Sequence, residues 1–151
     1  MAEYIQLSPK SETAMDRVVD PVLADVREEW AWVKPGVEEI LKVDPQLTFR
    51  PEDVYAACVM NQAQLWVASE GFVVTSGETD PFTNRRTLVL WLAWAFNRGT
   101  DMVSKYQNFF GDLARQTGHV QLETRSAVRE LQGHLTTRGW DVNTVVYTRR
   151  V

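Results

Sequence analysis

The sequence predicts a mixed α/β domain, one sheet with helices on its faces. Three observations carry this. Helical patterns fill the first third of the chain, a hairpin and a doubly apolar strand follow, and helix and strand then alternate to the end. A strand–helix–strand unit needs a crossover, so the second half should contain parallel pairing, while the hairpin supplies antiparallel pairing. At 151 residues the chain reads as one domain, with residues 1–50 a helical N-terminal part and residues 51–151 the sheet core.

Each element has a local reason. Asp20-Pro21 reads as an N-cap with proline at the first helical position, and Val22, Leu23, Val26, Trp30 and Val33 then share a face. Pro35 is expected to break or kink that helix. Val37, Ile40 and Leu41 continue a second short stretch that Asp44-Pro45 closes. A third helix starts at Pro51-Glu52-Asp53, whose acidic residues suit a helix N-terminus. "QLWVAS" and "FVVTS" are short β-rich runs around Glu70-Gly71, a hairpin pattern. "RRTLVLWLAWAF" is apolar on both faces and should be a central strand. Met102, Val103, Tyr106, Phe109, Phe110 and Leu113 recur at helical spacing, and Gly118 stands at the expected end. "HVQLETR" is a strand. Ser126 should cap a helix through Val128, Leu131 and Leu135 that Gly139 closes, and "VNTVVYTRRV" should be a terminal strand.

Composition narrows the function classes. A chain 44% hydrophobic and 24% charged is globular rather than disordered, and a net charge of -4 gives no basic field for general nucleic-acid binding. The longest apolar run, Thr87 to Phe96, is about half the length that spans a bilayer, so no membrane role is expected. "MAEYIQLSPKSE" lacks the basic-then-apolar pattern of a secretory signal, which favours a protein made in the cytoplasm. Cys58, the single cysteine, lies in "YAACVM" and reads as a small buried hydrophobe rather than a nucleophile. His119 and His134 are the two histidines; no spacing pairs either with a carboxylate or a metal, and both read as structural. No metal site is expected. The positive charge of "NRRT" and "YTRRV" reads as solvated strand edge.

Three local features, in order, resemble the GNAT superfamily of N-acetyltransferases: "NRGTDMV" at a strand-to-helix junction, "LARQTGH" before the next strand, and "LTTRGW" before a final one. The resemblance covers roughly Pro51 to Val151, with the N-terminal helices standing for the family's first helical pair. The run from "PEDVYAACVMNQ" to "LVLWLAWAF" also resembles small GNAT-like proteins of tailed bacteriophages. The implied fold is a GNAT-like central mixed sheet flanked by helices.

In that family a Gln/Arg-x-x-Gly-x-Gly/Ala loop binds the pyrophosphate of acetyl-CoA through backbone N–H groups at a helix N-terminus. Here the loop would be Asn97, Arg98, Gly99, Thr100, Asp101, Met102 and Val103, with Arg98 at the first position. Asp101 and Val103 stand where glycine or alanine is usual. A carboxylate about 4 Å from a phosphate charge costs on the order of 4 kcal/mol at an effective dielectric near 20. Val103 adds a branched side chain where close approach is needed. The family's frequent general acid, a tyrosine, falls on Leu135, which has no proton to give. Glu123 and Tyr147 remain as weak catalytic candidates, with a solvated strand carboxylate and a packing tyrosine as the plainer readings.

Trp30 and Trp32 point about 200° apart on a helix. Either one is exposed as an interface anchor, or the two pack on different elements. The leading expectation is therefore a GNAT-like interaction protein without acetyltransferase activity or cofactor. The phage resemblance implies other virion proteins as partners and a passage from host cytoplasm to virion; a homo-oligomer is compatible. The alternative is an active N-acetyltransferase carrying an acetyl group from acetyl-CoA to an amine. A third reading is a small regulator that binds host proteins through its Trp-rich N-terminal helices.

Overall fold

A computed structural model describes residues 19–126 and 128–151. The expected N-terminal part thus lies outside the described residues up to position 18. Five strands form one sheet in the order β1-β2-β3-β4-β5: β1 Val22–Ala24, β2 Ala63–Ala68, β3 Gly71–Thr79, β4 Arg86–Ala95 and β5 Gln121–Thr124. The first three junctions are antiparallel, and β4 pairs with β5 in parallel. The mixed sheet, the hairpin and the interior position of "RRTLVLWLAWAF" agree with the sequence. So does Gly118, which follows the helix before β5 in a left-handed conformation.

Helices α1 (Val26–Val43) and α2 (Pro51–Val59) cover one face. Val33, Val37, Val54, Leu65, Phe72 and Val74 are fully or almost fully buried there. Burying each such side chain contributes about 1.5–3 kcal/mol. The other face carries α3 (Met102–Lys105) and α4 (Gln107–Gln116), whose Met102, Val103, Tyr106 and Phe110 pack with Ala68, Val73 and Leu90. α5 (Arg129–Thr136) adds Leu135 to this second cluster, and Trp140 follows it.

Five details differ from the sequence-based expectation. The first helix does not start at Asp20-Pro21. Val22, Leu23 and Ala24 pair with Val67, Trp66 and Leu65 as an edge strand, and Asp25 becomes the N-cap, accepting from Arg27 N at 2.9 Å. Sheet pairing overrides the local helix signal because backbone groups are satisfied against β2.

Pro35 does not end α1. Its ring lies on the exposed side, while Val33 and Val37 on either flank are sealed in the core and hold the helix together. A helix-interior proline costs about 3 kcal/mol, which their burial offsets. Gly36 beside it permits a close approach: a Cβ there would sit 2.6 Å from Phe72 Cε2 and 2.8 Å from Trp94 Cδ2.

The helix expected from Met102 to Leu113 is split at Tyr106, whose backbone (φ -111°, ψ 16°) leaves helical geometry. Its hydroxyl donates to Glu70 at 2.8 Å, anchoring the ring under the β2–β3 turn. Burial, followed by the Asp20 charge, pushes that phenol up to about 12. Ser126 does not cap α5 directly: its Oγ accepts from Val128 N at 3.0 Å, and Val128 takes the N-cap position. Gly139 closes this helix as expected: it is left-handed at φ +88°, and Trp140 N donates back to Leu135 O at 3.2 Å.

The terminal strand is absent. Residues 141–151 are exposed throughout and form neither helix nor strand. Their β-propensity is real, but a strand needs a partner, and none of the described residues supplies one.

Candidate functional site

Two features of β4 shape the candidate site. Val74 faces Leu92 and Thr75 faces Leu90, so Trp91 is an extra residue that bulges β4. Trp91 and Leu92 consequently both pack on the α1/α2 side. The parallel pairing with β5 runs only from Thr87 to Leu90. From Trp91 to Ala95, β4 has a strand on one side alone, and the sheet opens toward its C-terminal end.

The segment after β4 crosses from the sheet to α3. Phe96 N donates to Glu70 O at 2.8 Å, and Thr100 N donates to Asn97 O at 3.3 Å, closing a turn. Gly99 supplies the left-handed residue of that turn with φ +88°. Arg98 is exposed.

Asp101 caps α3 with its own side chain. Oδ1 accepts from Ser104 N at 3.1 Å, and Oδ2 accepts from the Ser104 hydroxyl. The same Oδ2 lies 2.6 Å from His134 Nε2, which reaches over from α5. Arg138 Nη1 stands 3.1 Å from His134 Nδ1. Guanidinium nitrogens only donate, so Nδ1 is the acceptor in that contact. Burial raises the Asp101 carboxyl, but the Ser104 hydroxyl and amide and His134 together outweigh it and hold it below the ordinary carboxylate range. An ionised carboxylate therefore occupies the N-terminus of α3.

Met102 and Val103 are turned into the core, at 3% and 7% exposure. Val103 therefore does not project from the loop as a steric obstacle. The charge of Asp101 is what distinguishes this junction.

Of the two weak catalytic candidates, Glu123 on β5 is tied into an ion cluster. Arg125 Nη2 contacts Glu123 Oε2 and lies 2.7 Å from Glu78 Oε2. An open groove of about 230 Å³ borders this cluster, lined by Gln62, Ser76, Glu78, Val89, Trp91 and Arg125. Tyr147 is 90% exposed in the terminal segment, on a different part of the chain from the junction. Leu135 packs in the second core cluster.

Trp30 and Trp32 pack on different elements. Trp30 meets the Tyr55 ring edge-on at 5.1 Å on α2, and Trp32 stacks on Phe96 at 5.4 Å and contacts Phe72 and Trp94. Cys58 is partly buried, and desolvation pushes its thiol up to about 11. That is the behaviour of an inert core thiol. His119 is buried, with Nδ1 2.7 Å from Thr117 Oγ1. Among the described residues no group of three or more His, Cys, Asp or Glu could hold a metal ion, and no helix is long and apolar enough to cross a membrane.

The sequence located the junction but missed His134 as the partner of Asp101. The pair closes across two elements far apart in the chain, and no local pattern signals it. Ser104 was missed as well, although an aspartate followed three residues later by a serine at a helix start is a local pattern that could have found it.

No family model and no curated protein matches the sequence. Solved structures do match the fold. A probable acetyltransferase superposes with TM-score 0.67 at 16% identity, covering 88% of this chain and 99% of that one. The ribosomal-protein-alanine N-acetyltransferase of Brucella melitensis biovar Abortus 2308 gives TM-score 0.64 at 16% identity, over 88% and 100% of the two chains. Glucosamine-6-phosphate N-acetyltransferase of Arabidopsis thaliana gives 0.60 at 9% identity, over 89% and 99%. With its bulged β4, parallel β4–β5 junction and helices on both faces, the chain has the GNAT-like mixed α/β fold of these acetyltransferases.

Proposed function

We propose that this GNAT-like domain works as an interaction protein and does not use acetyl-CoA. The observation that supports this reading is the Asp101 carboxylate at the N-terminus of α3, hydrogen-bonded by Ser104 and 2.6 Å from His134 Nε2. In the resembling family that position receives a pyrophosphate. Here a fixed anion takes the helix-terminal donor that a phosphate would need, and like charges repel across a few ångströms. α3 is four residues long, so its dipole offers little compensation. Leu135 at the general-acid position and Glu123 held by Arg125 are consistent with lost chemistry.

A fold retained without its chemistry leaves its surfaces as the functional part. The bacteriophage resemblance of the run from Pro51 to Phe96 supports placing those surfaces in a virion, against other virion proteins after synthesis in the host cytoplasm. Mass spectrometry of purified particles tests that placement; absence of the chain from particles rejects it.

One observation favours the enzyme reading: the half of β4 beyond the Trp91 bulge has a strand on one side alone, so its other side leaves backbone groups for an extended amide-bearing ligand to bond. Calorimetric titration with acetyl-CoA separates the two. Silence at millimolar cofactor is expected; a Kd tighter than about 100 µM that is lost in Arg98→Ala would establish cofactor binding instead.

A further inference from the structure

The turn between β3 and β4 holds a phenylalanine out in solvent. Phe82 is 94% exposed, yet the loop that carries it is tightly bonded. Asp80 Oδ1 accepts from Phe82 N at 2.8 Å and from Thr83 N at 3.2 Å. Asp80 O accepts from Asn84 N at 2.8 Å, and Asp80 N donates to Arg85 O at 2.8 Å. Asn84 takes the left-handed conformation, φ +61°, that the turn requires. The ring is therefore presented by a loop that is ordered before any contact forms, which lowers the entropy lost on association.

A receptor for such a ring lies at the same end of the sheet. β2 starts at Ala63, opposite Ser76, and the groove beside Ser76 and Glu78 borders the hairpin that carries Phe82. Its walls are apolar at Ala57, Ala63, Val89 and Trp91. At about 230 Å³ it exceeds the roughly 150 Å³ that suffices to hold a benzene ring. Trp91 adds an aromatic surface for that ring to meet. The rim is charged as well: Glu78 and Glu123 set two carboxylates against the single Arg125 guanidinium. Arg85, exposed on the turn of Phe82, has the complementary sign.

The geometry points to a reciprocal knob-and-groove dimer: Phe82 of one chain enters the groove beside Trp91 in a second copy, and the second copy's Phe82 enters the first. At 94% exposure the ring is outside its own groove. Phe82 stands four residues beyond Glu78, at most about 13 Å along an extended chain. Knob and groove are thus neighbours on one hairpin. A two-fold axis beside that hairpin satisfies both at once and closes the assembly at two chains. The same pairing sets each Arg85 toward the partner's acidic rim, where opposite charge favours this register. This inference is independent of whether acetyl-CoA binds.

The test uses the full chain. Sedimentation equilibrium at about 100 µM should give twice the 17.3 kDa chain mass. Phe82→Ala removes the knob from an exposed turn and should raise the dimer Kd about 10- to 100-fold. Gln62→Trp lays a large ring into the groove from an exposed position and should weaken the dimer likewise. Circular dichroism should be unchanged in both, which separates lost association from lost folding. Mixing the two variants should restore a dimer, because the pair retains one intact knob facing one intact groove. A monomeric unsubstituted chain overturns the proposal, and so does a Phe82→Ala variant that associates as before. A dimer lost in Phe82→Ala but untouched by Gln62→Trp, or a mixture that stays monomeric, would place Phe82 against another surface and equally reject it.

Discussion

Asp101 Oδ2 lies 2.6 Å from His134 Nε2 and joins the start of α3 to α5 across the open end of the sheet. The contact fastens a helix that has no fully buried residue of its own. α5 is otherwise held through half-buried Leu135 and the following Trp140. Asp101→Ala removes both the cap of α3 and this tie, and should destabilise the fold by about 1–2 kcal/mol. Asp101→Asn keeps the capping acceptor and should cost less than half as much. The sign of the pH dependence follows from the depressed carboxyl. Its contribution is present above the unfolded value near 4 and is lost as pH falls through the lower folded value. Urea titrations of the native protein and Asp101→Asn should therefore differ at pH 7 and converge only as the pH falls below the ordinary carboxylate range.

Thr75 is a polar side chain sealed in the sheet at 0% exposure. It accepts from Trp66 Nε1 at 2.9 Å and donates to Gln64 Oε1 at 3.1 Å. Thr75→Val preserves shape and strand propensity but leaves the indole N–H without its acceptor. A buried orphaned donor costs about 1–3 kcal/mol. Chemical denaturation should show that loss, with Trp66 fluorescence shifting because its polar contact has gone. Unchanged stability would mean that water reaches the indole.

How much of this was legible locally depends on where each constraint originates. β4 could be read because a strand buried on both faces has no polar side, and Leu88, Leu90 and Leu92 interleaved with Val89 and Trp91 say so. α2 announced itself by Pro51 and two acids in its first turn. β1 could not be read: Val22–Ala24 becomes a strand because β2 lies alongside, and Pro21 locally mimics a helix start. The break at Tyr106 originates at Glu70, in another element. At the site, the acid at position 101 was visible as a charge opposed to phosphate, whereas the inward turn of Val103 depends on how α3 seats on the sheet. The terminal segment shows the reverse error. Its propensity was read correctly, and pairing was inferred without a partner.

His119 gives a second pH signature, separate from that of Asp101. Thr117 Oγ1 donates to Leu113 O at 2.7 Å, so its lone pair receives the His119 Nδ1 proton, while Nε2 packs toward Gly77. Burial, and next the charge of Arg86, lower the imidazole below its ordinary 6.5. The folded state thus resists the proton that the unfolded chain takes up. Stability is full above about pH 6.5 and declines as pH falls through the folded value. Melting temperatures measured from pH 7.5 to 5 should fall more steeply for the native protein than for His119→Gln. Parallel curves would mean that His119 contributes nothing to the slope.

Gly36 is the position where one added methyl group should be most costly. In an open helix, glycine to alanine would gain about 1 kcal/mol of helix propensity. Here the new Cβ would lie 2.6 Å from Phe72 Cε2 and 2.8 Å from Trp94 Cδ2. Phe72 is wholly buried and stacks on Trp94 at 5.7 Å, while Trp94 is pinned by its Nε1 donating to Glu39 Oε2 at 3.1 Å. Neither ring has room to retreat, so α1 must lift off the sheet. Overpacking of this kind costs about 1–3 kcal/mol, more than the propensity gained. Gly36→Ala should therefore lower the urea midpoint, and Gly36→Ala combined with Phe72→Leu should recover part of the loss by vacating the contact. If Gly36→Ala stabilised the protein instead, the helix–sheet separation at this point would have to be wider than these contacts allow.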